Sequence, residues 1–251
     1  MTTPVLPALK LDQVTVRFGG LVAVDSISME IAAGQRWAVI GPNGAGKTTL
    51  FRSVAGEQIP TSGSINLFDK DITNKPSHQR AHRGVGRTYQ ITNLFLDLTV
   101  EENVMIAAQG LSRSRYVSWM PVRRKGPFRE RVDWALEQVE LSDRHASIVK
   151  EMSHGEQRQL ELAMGLASKP RLLLLDEPAA GLSASERVVM RRLINELPRD
   201  LTMVLIEHDM DLALELVEWV VVLDNGKVIA RGTPAEIREN EVVQAVYLKS
   251  D

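Results

Sequence analysis

The chain has no cysteine among its 251 residues. That excludes a disulfide framework, a thiolate metal site and a cysteine nucleophile, and it fits a reducing compartment. Long apolar runs are missing as well. Stretches such as "LLLL" at 172–175 fall far short of the roughly 20 residues that a membrane-spanning helix requires. The opening "MTTPVLPALK" lacks a basic segment followed by an apolar core, so no secretory signal is expected. Excess positive charge is absent too: 30 Lys and Arg stand against 32 Asp and Glu, a formal net charge of −2. Such a balance gives no general electrostatic reason to expect nucleic-acid binding. There is neither an internal repeat nor a low-complexity segment. What is present, 44% apolar and 25% charged residues, is the composition of a folded domain. The length suits one large α/β domain, or a main domain with a small subdomain.

Along the chain, "KLDQVTVRFGGLVAVDSISMEIAAGQ" alternates apolar and polar residues around Gly19-Gly20, which predicts antiparallel strands. "RWAVI" at 36–40 leads into a glycine-rich loop and then a helix beginning near Lys47. "GSINLFDKDI" predicts a further strand pair near an edge. From about Ser77 to Ser168 the pattern is mainly helical, with a loop-like, Arg-rich stretch around 112–127. "RLLLLDEP" and "LTMVLIEHD" are continuous apolar runs ending in acidic or polar residues. This is the pattern of strands buried on both faces of a parallel sheet, with chemistry at their C-terminal ends. "SERVVMRRLINEL" supplies a helical crossover between them, and Asn225-Gly226 between two apolar runs predicts a hairpin.

Residues 41–48, "GPNGAGKT", match G-x-x-x-x-G-K-[ST] at every required position, between a predicted strand and a predicted helix. Glycines let successive backbone N–H groups converge on phosphate oxygens, and the following helix adds its positive dipole end. Lys47 can reach the β- and γ-phosphates, and the Thr48 hydroxyl can ligate Mg²⁺. Asp176, ending a buried run, can hold Mg²⁺ directly or through water. Glu177 points to the opposite side of the strand end, where it can polarise an attacking water. A positioned general base contributes about 10²–10⁴-fold to such a reaction. His208 ends the next buried run, where its imidazole can contact the γ-phosphate or that water.

"EMSHGEQ" at 151–157 holds a serine, a histidine and a glutamate within four positions, the residue types of a hydrolytic triad. Such close neighbours imply neither an oxyanion hole nor a base–orienter arrangement. Ser153 with Glu156 three residues on instead predicts a capped helix start running to about Ala167. Free N–H groups, a hydroxyl and a positive dipole end suit a phosphate.

Taken together, these motifs resemble the ATP-binding subunits of ABC transporters over nearly the whole chain. The likeness rests on Phe18, the phosphate loop at 41–49 (Gly41, Pro42, Asn43, Gly44, Ala45, Gly46, Lys47, Thr48 and Thr49), Gln90, "MSHGE" at 152–156, "LLLLDEP", "AGLS" at 180–183 and His208, all in order. It implies a P-loop NTPase (RecA-like) α/β core with an antiparallel β-subdomain and a helical subdomain. In this division, residues 1–76 and 171–251 form the core and β-subdomain, and 77–168 the helical part of a single ABC ATPase domain. It further implies ATP and Mg²⁺ as ligands, with Gln90 contacting the metal and linking ATP to a membrane partner. "MSHGE" takes the place of the family's L-S-G-G-Q signature, so each ATP is expected between one chain's phosphate loop and another's Ser153, His154, Gly155 and Glu156. His154, Glu156 and Ser183 depart from the family pattern without removing a catalytic group.

"GRTYQITNLFLDLTVEENVMIAAQG", "DEPAAGLSASE", "LIEHDM" and the tail "ARGTPAEI" are similar to importers of branched-chain amino acids and related solutes. The implied partners are transmembrane permease subunits, a second ATP-binding subunit and, indirectly, a periplasmic solute-binding protein, at the inner face of the cell membrane. The apolar "TNLF" after Gln90 is a candidate lining for the partner's coupling helix. Residues 113–131 carry seven basic side chains against Glu130 alone, read as a solvated face or as a contact with anionic lipid headgroups. A soluble ABC-type ATPase acting on nucleic acid or ribosomes is the alternative, but its usual coiled coil or duplicated domain is missing. A P-loop kinase would leave "MSHGE" without a role.

Overall fold

A computed structural model describes residues 7–88, 94–110 and 127–248. Gln90 and residues 113–126 of the Arg-rich stretch lie outside the described residues. Two sheets organise the rest. β1 (Pro7–Phe18) and β2 (Leu21–Ala32) pair antiparallel about Gly19-Gly20. With β4 (Ser62–Leu67) and β5 (Lys70–Asp71) they form a four-stranded sheet in the order β2-β1-β4-β5. The second sheet runs β10-β9-β3-β8-β7-β6. Its members are β3 (Arg36–Ile40), β6 (Val85–Arg87), β7 (Leu172–Asp176), β8 (Thr202–Ile206), β9 (Trp219–Asp224) and β10 (Lys227–Gly232). All neighbours are parallel except β9 and β10, which turn at Asn225 (φ +46) and Gly226 (φ +77).

Continuous apolar strands follow from burial on both faces. Leu172 and Leu174 pack into the core shared with the antiparallel sheet, whereas Leu173 and Leu175 pack among the helices of the opposite layer. Trp37 and Val39 against Ala38 and Ile40 divide in the same way. The first core also encloses α1 (Lys47–Ala55). The second receives α3 (Val100–Gln109), α4 (Pro127–Gln138), α5 (His154–Leu166), α6 (Ala184–Glu196) and α7 (Met210–Leu216). α8 (Pro234–Arg238) and α9 (Glu241–Leu248) close the chain.

β6 falls inside the stretch that the sequence marks as mainly helical. It has only three residues, "VGR", too few for a period to register. Pairing with β7 from Val85↔Leu172 to Arg87↔Leu174 makes it a strand. Its Gly86 lets the chain lie close to α5: a Cβ there would stand 2.9 Å from the Gly165 carbonyl and the Pro170 ring.

α1 ends on a buried cation. Arg80, on α2 (Ser77–Ala81), is fully buried. It donates to the carbonyls of Ser53 (2.5 Å), Val54 (2.9 Å), Lys75 (2.7 Å) and Thr73 (2.9 Å). Two of these, Ser53 and Val54, lie in the last turn of α1, where carbonyls lack their regular intrahelical partners. Burial lowers the Arg80 pKa to about 10, still charged at neutral pH. The helix that begins with Lys47 is thereby anchored at its far end.

Candidate nucleotide site

β3, β7 and β8 deliver their C-terminal ends to one side of the sheet, where α/β folds bind ligands. β3 runs into the loop at 41–46, which packs so closely that side chains are excluded at two positions. A Cβ at Gly41 would sit 2.1 Å from the Leu223 carbonyl, and one at Gly46 2.3 Å from that of Ala23. Gly46 (φ +99) is the N-cap of α1 and offers no side-chain cap, so the first N–H groups of that helix remain available to an anion. Lys47 is 5% exposed and donates to the carbonyls of Gly41 (2.6 Å) and Pro42 (2.9 Å). Burial lowers its pKa, and the charge of Glu177 opposes that shift.

A cleft of about 580 Å³ opens over this loop. Residues 43–49 line it together with Phe18 at the end of β1, residues 21–23 at the start of β2, Asn225 from the β9–β10 turn, and Glu177 and His208 just past the ends of β7 and β8. The sequence marks the turns at Gly19-Gly20 and Asn225-Gly226, and Phe18 as a site residue, but gives no sign that residues 21–23 and Asn225 face this cleft. Phe18 is half exposed, a flat apolar surface at the cleft edge. Glu177 adopts φ +51, uncommon for a residue with a side chain, while its N–H bonds to the Ile206 carbonyl at 3.0 Å. Such backbone strain gathers at functional sites. Its carboxylate lies 2.6 Å from His208 Nε2.

Asp176, the residue before Glu177, does not line the cleft. It is 2% exposed, and its Oδ2 accepts from Arg87 Nη2 at 3.0 Å, while Arg87 Nη1 reaches Glu57 at 2.6 Å. Burial raises the Asp176 pKa and Arg87 moderates the rise. Its Oδ1 is buried without a hydrogen-bond partner. That unsatisfied oxygen and the Thr48 hydroxyl in the cleft are hard donors suited to Mg²⁺. Among the described residues no cluster of three or more His, Cys, Asp or Glu could cage a metal. The two oxygen donors fit Mg²⁺, which keeps water and phosphate ligands and takes few from protein.

Glu207, between β8 and His208, escaped sequence reasoning. It is 4% exposed, accepts the Ala179 N–H at 3.2 Å, and has a carboxyl pushed up to about 7 by burial.

The signature residues lie elsewhere. Ser153 caps α5: its hydroxyl accepts the Glu156 N–H (3.2 Å), and Glu156 accepts the Ser153 N–H (2.8 Å). Glu156 also pairs with Arg144 at 3.3 Å. Ser153 and His154 are exposed, and none of residues 153–156 lines the cleft. The structure thus brings together Phe18, residues 43–49, Glu177 and His208. Gly41, Pro42, Asp176 and the 153–156 turn do not line that cleft.

A phosphate loop at a sheet edge, facing a glutamate from a neighbouring strand end, defines a P-loop nucleoside triphosphatase. Comparison with known proteins narrows the class. The profile of the ABC transporter family matches residues 24–180, and one described as branched-chain amino acid ATP-binding cassette transporter matches 227–248. The chain belongs to the ABC transporter family, as an ATP-binding subunit whose ATP hydrolysis is coupled to transport. It is 38% identical to the high-affinity branched-chain amino acid transport ATP-binding protein BraF of Pseudomonas aeruginosa, over 96% of this chain and 98% of that protein. The crystal structure of the ADP conformation of MJ1267, an ATP-binding cassette of an ABC transporter, superposes with a TM-score of 0.86 at 27% identity, covering 96% and 98% of the two chains. A dimeric post-hydrolysis structure of the cassette MJ0796 bound to ADP and Pi gives 0.75 at 25% identity, over 90% and 98%.

Proposed function

We propose that this chain powers uptake of branched-chain amino acids or related small solutes, paired with a second ATP-binding subunit beneath membrane permease subunits. A periplasmic solute-binding protein delivers the substrate, and the site of work is the inner face of the cell membrane. No nucleic acid takes part. The observation that carries the pairing is the separation of halves: the cleft holds loop, glutamate and histidine, while the capped 153–156 turn lies outside it, with Ser153 and His154 exposed.

In this reading the 43–49 backbone and Lys47 hold the phosphates, and Phe18 stacks on the adenine. Thr48, Asp176 and Gln90 would hold Mg²⁺, which would supply charge neutralisation at the phosphate oxygens. Glu177 orients and polarises the attacking water, and His208, hydrogen-bonded to it, contacts the γ-phosphate. Ser153, His154, Gly155 and Glu156 of the second subunit close over that phosphate. Phe95, Leu96 and Ile106 are between 41% and 49% exposed, an apolar surface for a permease helix. Among the described residues no helix is long and apolar enough to cross a membrane, so a permease supplies the path.

Glu177→Gln tests the site. It is expected to retain ATP binding, to lose turnover by about 10²-fold or more, and to form an ATP-dependent dimer on gel filtration. An unchanged hydrolysis rate defeats the assignment of Glu177.

A further inference from the structure

The 153–156 turn is not free to receive phosphate as it stands. The Gly155 N–H, at the start of α5, donates to Glu186 Oε1 at 2.9 Å. Glu186 belongs to α6, where its other oxygen accepts the Ser183 N–H (2.9 Å) and the Ser183 hydroxyl (2.6 Å). One carboxylate therefore joins two helix starts: the phosphate-facing turn, and the loop that follows Glu177. The approach is close enough that a Cβ at Gly155 would stand 2.5 Å from the same oxygen, so any larger residue there would push the carboxylate aside. His154 lies over the same loop, its Nε2 3.1 Å from where a Cβ on Gly181 would sit. Donation from Ser183 and Gly155 holds the Glu186 pKa below its ordinary value, as expected of a carboxylate receiving several hydrogen bonds.

We propose that Glu186 is a gating residue for the signature turn: its carboxylate occupies the Gly155 N–H that a γ-phosphate would take, and ATP-driven pairing requires it to let go. The inference rests on the reading of the site as shared between two subunits. An N–H carries a single hydrogen, and a phosphate oxygen arriving at Gly155 would also meet the carboxylate as a like charge. Ser183 offers Glu186 two other donors, so release costs only part of its bonding. Glu186 is half-buried, so part of its side chain faces solvent. Because α6 follows the Glu177 loop, phosphate capture at this turn, which serves the partner's ATP, would shift the loop beside the chain's own glutamate. A single side chain would then link the two sites.

The test separates this from a merely structural contact, because breaking a structural contact weakens pairing whereas removing a competitor strengthens it. In the Glu177→Gln protein, the ATP concentration for half-maximal dimer is measured by sedimentation, with and without Glu186→Gln. The neutral amide is a weaker competitor, and the midpoint is expected to fall about tenfold, the scale of one charge-assisted hydrogen bond. Fluorescent-ATP affinity of the separate chain is expected to stay unchanged. Glu186→Asp keeps the charge and the cap on Ser183 but is one methylene too short for Gly155, and it should lower the midpoint too. An equal or higher midpoint in Glu186→Gln overturns the gate, as does a fall confined to the Gln variant, which would reduce the effect to charge alone. A parent that never pairs in ATP overturns the shared-site reading, and the gate with it.

Discussion

Glu207→Gln isolates one buried carboxyl. Glu207 is 4% exposed beside the cleft, with no cation paired to it among the described residues. Burial pushes its pKa from 4.5 to about 7, and the nearby charges of Glu177 and Asp209 act in the same direction. Below about pH 4.5 folded and unfolded chains both carry the proton, so the group contributes nothing to pH dependence. Between there and about 7 only the folded chain keeps it, and stability falls as pH rises, by about 1.4 kcal/mol per pH unit. Above the folded pKa the loss is complete, at about 3 kcal/mol. Glutamine retains an oxygen for the Ala179 N–H and never ionises. Relative to wild type, the variant should therefore gain about 3 kcal/mol between pH 4.5 and pH 8. Urea unfolding, followed by the fluorescence of the four tryptophans in the absence of nucleotide, measures that difference at each pH. A gap that stays constant from pH 5 to pH 8 refutes the argument.

Two further outcomes test other parts of the account. Lys47→Ala removes the cation at the phosphate loop and should abolish fluorescent-ATP binding in titration; in cells, uptake of labelled leucine, isoleucine or valine should fall to background. Arg80→Ala strips the donor from four backbone carbonyls and should cost about 3–5 kcal/mol in urea unfolding. Arg80→Lys should restore little, since an ammonium cannot span the same four acceptors.

The parts of the fold that repeat a local pattern were legible in the sequence. Alternation marked β1 and β2, Asn225-Gly226 marked the last hairpin, and continuous apolar runs marked β7 and β8. The capped start of α5 was readable from Ser153 and Glu156 alone. β6 was not, because three residues carry no period and pairing with Leu172–Leu174 alone makes Val85–Arg87 a strand. At the site, the glycine loop and Glu177 announce themselves by motif. The ion pair of Arg87 with Asp176 spans residues 89 apart in sequence, the Arg80 cap spans up to 27, and Glu186 meets Gly155 across 31. Contacts of that kind leave no mark on spacing or periodicity. They appear only when topology brings the elements together. The pKa of Glu207 is legible for the same reason only in three dimensions: nothing in "LIEHD" says how deeply the glutamate is buried.

The central claim is that one chain's loop and another's 153–156 turn enclose the same triphosphate. Because the chain lacks cysteine, single thiols report this cleanly. Asn43→Cys in one preparation and Ser153→Cys in another, both carrying Glu177→Gln, are mixed with a short bis-maleimide, with and without ATP. Both positions are exposed in the separate chain. The account predicts a covalent product joining the two variants, abundant with ATP and scarce without it. ATP bound to both variants with no such product would contradict it.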